Sequence, residues 1–323
     1  MNNYSWLQQK LHQLALSTNF MREITFDIEN FLIPVNQIND DHIFVSGLAR
    51  SGTTALLNAL YESNKFASLS YSDMPFVLAN NLWSKLSFLG HNNDLIERSH
   101  GDGIMISQES PEAFEEVFWM TFNENDKDTI KKFRKYVQRI NLKYKKERFL
   151  SKNNQNIKRL ELLIEIFPNS KILIPFRNPI QHANSLLSQH QRFIQHSKKD
   201  VFIAKYMKWI GHTEFGPNYN PIHGNNLRFM DDLDINHWIE QWYLTYQNCF
   251  TTHQKNKNVY FICYEKLCSS KKYWLDILQK IDIDVAYDFK FKESIKDISH
   301  NFDKDIMNKA LSVYSKLSEY RFH

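Results

Sequence analysis

The sequence predicts an α/β fold, a mainly parallel β-sheet of about five strands flanked by helices on both faces, with helical insertions. Two observations carry that prediction. Short β-rich apolar runs alternate with longer segments of helical period, the pattern of βα units. The 323 residues are 42% hydrophobic and 14% aromatic, enough apolar side chain for a sizeable core and too much for a disordered chain. With only 8 Gly and 8 Pro, no low-complexity tract and no internal repeat, solenoids, propellers and collagen-like chains are excluded.

Taken in order, residues 1–33 read as a helical N-terminal extension. A strand at His42–Ser46 leads through a glycine-containing turn into a helix at Thr53–Ser63, and a second strand, Phe66–Leu69, leads into a helix at Pro75–Leu89. Residues 90–146 form a helical insertion, with two helices in Glu112–Lys146, the second strongly charged (KKFRKYVQRINLKYKKER). Strand Arg148–Ser151, helix Asn154–Phe167, strand Lys171–Phe176 and helix Pro179–Ile194 follow as two further βα units. Residues 199–257 hold helices and a loop at 211–227 that concentrates three of the eight glycines with Pro217 and Pro221. A strand at Asn258–Cys263 and a helix at Tyr264–Lys280 complete the pattern. No linker divides the chain, so one domain over 1–323 is expected.

Forty Lys and Arg against 36 Asp and Glu leave a net charge of +4, too mild for a nucleic-acid binder, so any anion site must be local. The three cysteines, Cys249, Cys263 and Cys268, form no CxxC pair and argue against a disulfide framework or a zinc ribbon, which fits a reducing compartment. No run approaches the about 18 apolar residues that span a bilayer, and MNNYSWLQQKLHQLALSTNF is not built as a secretory signal, so a cytoplasmic protein is expected.

The segment HIFVSGLARSGTTALLNALYESN runs strand, turn, amphipathic helix, with Gly47 and Gly52 in the turn. Backbone N–H groups there and the positive end of the helix dipole can ring a phosphate, and Thr53 and Thr54 add hydroxyl donors. GLARSGTT keeps both glycines of the nucleotide-triphosphatase pattern G-x-x-x-x-G-K-[ST] but has Thr53 where that pattern has its lysine. The cation is instead Arg50, on the turn itself. In this form the string resembles the 5′-phosphosulfate loop of sulfotransferases that use 3′-phosphoadenosine 5′-phosphosulfate (PAPS), and the fold then expected is P-loop-like.

A second strand–turn–helix, KILIPFRNPIQHANSLLSQHQRF, has Arg177 leaving the strand, Pro179 at the first helical position and Ser185 eight residues after the arginine. It resembles the 3′-phosphate element of the same family, closest in style to bacterial and tyrosylprotein sulfotransferases. Between the two elements, ERFLSKNNQNIKRLELLIEIFPNSK resembles the strand and helix that precede this element in tyrosylprotein sulfotransferases, with Lys152 after the strand. The resemblance implies Arg50, Ser51, Gly52, Thr53 and Thr54 on the 5′-phosphosulfate, Arg177 and Ser185 on the 3′-phosphate, and Lys152, with Arg50, at the transferred sulfuryl group. It implies PAPS as co-substrate, PAP as product, no required metal, and an acceptor bearing a hydroxyl or amine.

Such a transfer needs a base for the acceptor proton. Asp73, after the second strand, is the first candidate, although an Asp in that position is also a routine helix cap. His100, in ERSHGDGIMI, is the second, because imidazole titrates near neutrality. Glu109 and Glu112, in SQESPEAFEEVFW, read as the start of the next helix, with Ser110 as cap and Pro111 at its first position. The 13 histidines include no HExxH, and His182, His190 and His196 do not share one helical face, so no metal site is expected. Two rival readings stand beside the sulfotransferase: a P-loop kinase or nucleotide triphosphatase, and a non-catalytic nucleotide-binding protein of the same fold. Acceptor identity and oligomeric state are not legible in the sequence.

Overall fold

The computed structural model describes residues 5–36, 39–86, 96–97, 105–106, 109–284, 287, 289–293, 295–298 and 300–320. In chain order, α1 (Trp6–Leu16) and α2 (Asn19–Leu32) precede β1 (Ile43–Val45), α3 (Thr53–Tyr61), β2 (Phe66–Ala67) and α4 (Asn80–Leu86). A short antiparallel pair, β3 (Ile96–Glu97) and β4 (Met105–Ile106), is followed by α5 (Glu116–Thr121), α6 (Lys127–Tyr144), β5 (Arg148–Lys152) and α7 (Leu160–Ile166). Then come β6 (Lys171–Phe176), α8 (Pro179–Lys199), α9 (Val201–Trp209), α10 (Ile235–His253), β7 (Val259–Cys263), α11 (Tyr264–Ser269), α12 (Lys271–Lys280) and α13 (Lys304–Glu319).

Five strands form one parallel sheet in the order β2-β5-β1-β6-β7. Successive strand residues point to opposite faces, and the two cores sort accordingly. Ile43, Val45, Leu150, Leu173, Tyr260 and Ile262 pack with α3 and α12 through Leu56, Leu60, Trp274 and Ile277. Phe44, Phe149, Ile172, Ile174 and Phe261 pack on the other face with α5, α6, α7, α8, α10 and α13. Both faces are therefore covered, as a parallel sheet requires.

All five strands lie where the apolar runs predict them, with no end shifted by more than two residues. Several helices are more broken than their periodicity suggests. Of residues 1–33, read as one helical extension, the described residues 5–33 hold two helices, because the Thr18 side chain caps α2 by accepting from the Met21 amide. The helix expected over 75–89 begins at Val77 as a 3₁₀ turn and becomes α4 at Asn80, since Phe76 has non-helical backbone angles, and its last three positions lie outside the described residues. Asn154–Lys158 is also 3₁₀, with a break at Arg159 before α7. Ser270 interrupts the helix expected over Tyr264–Lys280 and caps α12. Glu109 and Glu112 do not start a helix. Pro111 bridges Ser70 and the Glu112 amide donates to Leu69 O at 2.9 Å, so this segment extends the β2 edge and α5 begins only at Glu116. Among the described residues, no helix is long and apolar enough to cross a membrane.

Candidate functional site

The strand order reverses direction at β1: the chain moves to β2 and β5 on one side and to β6 and β7 on the other. At such a point the loops leaving adjacent strands diverge and open a crevice at their carboxyl ends. Here the crevice is bounded by the turns after β1, β5 and β6.

The turn after β1 is shaped by its backbone. Gly52, at φ 103°, is the N-cap of α3, and a Cβ there would lie 2.3 Å from a ring carbon of Tyr264. Only glycine fits both the left-handed conformation and that approach. Arg50 sits at φ 70°, a conformation that costs a non-glycine residue about 1–2 kcal/mol. Backbone strain of this kind concentrates where function over-determines the local structure. His182 on α8 holds the turn from behind: its Nε2 lies 2.7 Å from Ala49 O, and because a carbonyl only accepts, Nε2 carries the proton. Burial lowers the pKa of this imidazole to about 3, so the ring is neutral.

The turn after β6 places Arg177 at the strand end, 9% exposed. Asn178 caps α8 by accepting from the Ile180 and Gln181 amides, and Pro179 occupies the first turn. The structure brings the two basic turns together. Arg50 Nε donates to Ser185 Oγ at 3.2 Å, and the positive fields of Arg177 and Arg50 both fall on His182 and on Tyr264. Ser51 and Thr53 are buried in the same turn, and Thr54 is half-buried. The turn at the N-terminus of α3 thus lies in the field of two guanidinium groups, an arrangement suited to anionic oxygens.

Lys152 ends β5, directly paired with Val45 of β1, and is 9% exposed. A row of carboxylates from the segment leading into α5 surrounds this strand end. Glu112 Oε1 lies 3.8 Å from Lys152 Nζ, and Glu112 also accepts from Tyr71 OH at 2.9 Å. Glu115, 1% exposed, accepts from Ser151, from Asn156 Nδ2 at 3.0 Å and from Trp119 Nε1 at 2.8 Å. Burial raises the Glu115 pKa, against the lowering effect of these donors. Glu116 accepts from Asn153 Nδ2 and Arg159 Nη1, both at 2.7 Å. Sequence reasoning missed this row because its partners lie 36 to 43 residues away. The run EAFEE spaced across a strand–helix junction was its one visible sign.

Asp73 is placed differently from Lys152 and the two basic turns. It is fully buried in a 3₁₀ turn after β2, where its carboxylate accepts from Lys143 Nζ at 2.5 Å, Tyr144 OH at 2.6 Å and the Ser70 amide at 2.8 Å. These contacts make it a cap and an ion-pair partner, with its oxygens already engaged. His100 lies outside the described residues.

A small cleft, with room for about 20 Å³, opens beside Gly47, Leu48 and Ala49. Its other walls come from Asn154 and Gln155 after β5, Leu186 on α8, the loop 214–222, and Trp238 and Gln241 on α10. At the base of that loop His212 stacks on Phe193 and stands 3.4 Å from Glu214. Burial lowers the His212 pKa, and the charge of Lys152 pushes it the same way. Among the described residues, no group of three or more His, Cys, Asp or Glu side chains is arranged to hold a metal ion.

Residues 42–214, more than half of the chain, match the sulfotransferase family. Among solved structures, sulfotransferase STF1 from Mycobacterium tuberculosis superposes with a TM-score of 0.54 at 15% identity, over 98% of this chain and 83% of that one. STF9 from Mycobacterium avium gives a TM-score of 0.46 at 12% identity, over 100% and 80%. A sulfotransferase from Alicyclobacillus acidocaldarius gives 0.40 at 15% identity, over 88% and 93%. No functionally curated protein matches the chain in sequence. The M. tuberculosis structure shares the fold, and the matched segment holds the turn after β1, the β5 end with Lys152 and the β6–α8 element: the chain belongs to the sulfotransferase family.

Proposed function

We propose that the protein transfers a sulfuryl group from PAPS to a hydroxyl of an acceptor held in the cleft. The observation that carries this reading is the convergence of the two basic turns before α3 and α8, with Arg50 within 3.2 Å of Ser185 and the charges of Arg50 and Arg177 both felt at His182. A nucleotide with one phosphate group at each end of its ribose needs two such clamps, whereas a nucleoside triphosphate needs one long cradle and a loop lysine, and Thr53 stands in that position. In this reading Ser51, Gly52, Thr53 and Thr54 take the 5′-phosphosulfate, Arg177 and Ser185 the 3′-phosphate, and Arg50 spans the gap between them.

The transfer is an in-line displacement in which positioning and charge stabilisation do most of the work. The acceptor oxygen gives its proton to a base and bonds to sulfur, while the bond from sulfur to the bridging phosphate oxygen breaks and its electron pair stays on PAP. Lys152 and the α3 N-terminus stabilise the charge that grows on that oxygen. Glu112, beside Lys152 and 13% exposed at its side chain, suits the base better than Asp73, whose side chain is fully buried. The three free thiols, Cys249, Cys263 and Cys268, favour a reducing cytoplasmic setting.

Thermal unfolding with PAP, PAPS and ATP plus Mg²⁺ tests the donor. A ligand at 100 times its Kd stabilises the native state by about 2.7 kcal/mol. PAP and PAPS are expected to raise Tm clearly and ATP far less. Equal shifts with all three would favour the kinase or triphosphatase reading.

A further inference from the structure

We propose that His182 and Tyr246 are positioning residues for the transfer, setting from beneath how the turn after β1 presents Arg50 and its amides; the inference rests on the sulfotransferase reading above. Both side chains are fully buried, His182 on α8 and Tyr246 on α10, so they act through the turn. Their ring centroids stand 6.3 Å apart. His182 Nε2 donates to Ala49 O at 2.7 Å. In a trans peptide the carbonyl and the following N–H point opposite ways, so this bond fixes the plane of the Ala49–Arg50 peptide and turns the Arg50 N–H away from His182. That plane helps to define the φ of 70° at which Arg50 is held. Three residues along α8, on the same helix face, Ser185 takes the Arg50 guanidinium at 3.2 Å, so one helix face holds the arginine by its backbone and by its side chain.

Tyr246 grips the other half of the turn. Its hydroxyl donates at 2.8 Å to Pro175 O, two residues before Arg177 on the strand that leads to the second basic turn. The Leu48 backbone and the Ser51 side chain face the same oxygen. A Cβ on Gly47 would lie 3.2 Å from Pro175 O and 3.6 Å from the Tyr246 hydroxyl, so the turn is wrapped closely on this pair. One phenol therefore joins the first basic turn to the strand that carries the second. Burial raises its pKa, which keeps the hydroxyl proton in place as a donor. A left-handed arginine and a glycine at φ 144° persist only where the surroundings hold them. In-line transfer tolerates little misplacement of the reacting group, so loosening either grip should be felt at the 5′ end of the nucleotide.

The two phosphates of PAP give separate phosphorus NMR resonances, which are followed in the whole protein saturated with PAP, together with PAP affinity by titration. His182→Leu and Tyr246→Phe are each expected to weaken PAP about tenfold and to move the 5′-phosphate resonance while the 3′-phosphate resonance keeps its wild-type position. His182→Gln, which keeps an N–H donor toward Ala49 O, is expected to restore both. Tyr136→Phe is the matched control: it removes another buried hydroxyl bond, from α6 to Val77 O at 3.0 Å, and is expected to lower stability alone. Should His182→Leu fail to fold, Tyr246→Phe, which removes a single oxygen, decides. Unchanged affinity and an unmoved 5′-phosphate resonance in the folded variants overturn the positioning role, as does an equal change in Tyr136→Phe, and PAP binding then leaves the donor reading standing. A wild-type protein that binds no PAP removes the donor reading, and the positioning role falls with it.

Discussion

The turns after β1 and β5 leave neighbouring strands side by side, with Val45 opposite Lys152, yet they are built by opposite means. The first is shaped by its own backbone: Gly47, Arg50 and Gly52 all have positive φ, and one buried imidazole, His182, pins it from behind. The second is held by side chains from elsewhere, with Glu115 on Ser151 and Asn156 and Glu116 on Asn153 and Arg159. A backbone cradle suits a ligand group that is always the same, a phosphate. A strand end clamped by separate carboxylates holds one lysine in place and leaves the neighbouring surface open to change. The difference separates fixed recognition from adjustable chemistry.

The sharpest way to break this comparison is at Glu112. Glu112→Gln is expected to lower turnover by roughly 10² to 10⁴, the usual contribution of a positioned base, with the PAP-induced Tm shift unchanged. Asp73→Asn is expected to act on stability instead, by about 3 kcal/mol in urea unfolding, because it breaks an ion pair with half-buried Lys143 at a fully buried position. If Asp73→Asn folds normally and loses turnover while Glu112→Gln does not, the base is Asp73 and the β5 turn is purely structural.

Gly52→Ala tests the backbone-built turn. Its Cβ would press on the Tyr264 ring in a conformation alanine avoids, so a loss of about 2 kcal/mol in stability and at least tenfold in PAP affinity is expected. Normal PAP affinity in this variant would show that the close approach is not what shapes the anion site.

The smallest effect is a contrast in pH dependence. His182 has a folded pKa of about 3, below its unfolded value near 6.5, so the unfolded chain binds the extra proton between them. Stability is fully present above pH 6.5 and falls by about 1.4 kcal/mol per pH unit below it. Glu115 has the opposite sign: its folded pKa is raised, so the native state holds the extra proton and stability is lost as pH rises through that value. Urea midpoints should fall less steeply below pH 6.5 in His182→Asn, while His42, which burial also lowers to about 3, keeps part of the slope. Glu115→Gln should be neutral or stabilising near pH 7, and a large loss there would mean the carboxylate charge itself holds the strand end.

What could be read from the sequence follows the same division. The five strands and both basic turns are written in short contiguous stretches: an apolar run, a glycine, an arginine, a capped helix. Arg50 and Ser185 lie 135 positions apart, and each was visible through its own local motif before the fold joined them. Glu112 was misread as a helix start because nothing local reveals that Pro111 bridges Ser70. Asp73 drew attention as a carboxylate after a strand, but the groups that engage it, Lys143 and Tyr144, come from the far end of α6. The aromatic helix α10 escaped placement for a related reason. Twelve of its 19 residues are buried, so its sequence INHWIEQWYLTYQNCFTTH lacks a sustained polar face.

The position of β1 has a consequence for how the chain folds. This three-residue strand is the middle of the sheet, but its two neighbours, entered at Leu150 and Lys171, lie more than a hundred residues downstream. The strand that carries the Gly47–Gly52 turn therefore has no partner until β5, at Arg148–Lys152 and nearly halfway along the 323 residues, has been synthesised. Loop closure over such distances is entropically slow, so folding should be limited by late, long-range docking rather than by helix formation. A polypeptide stopped before β6 would expose both the apolar β1 and an unpaired sheet edge, and aggregation is its expected fate.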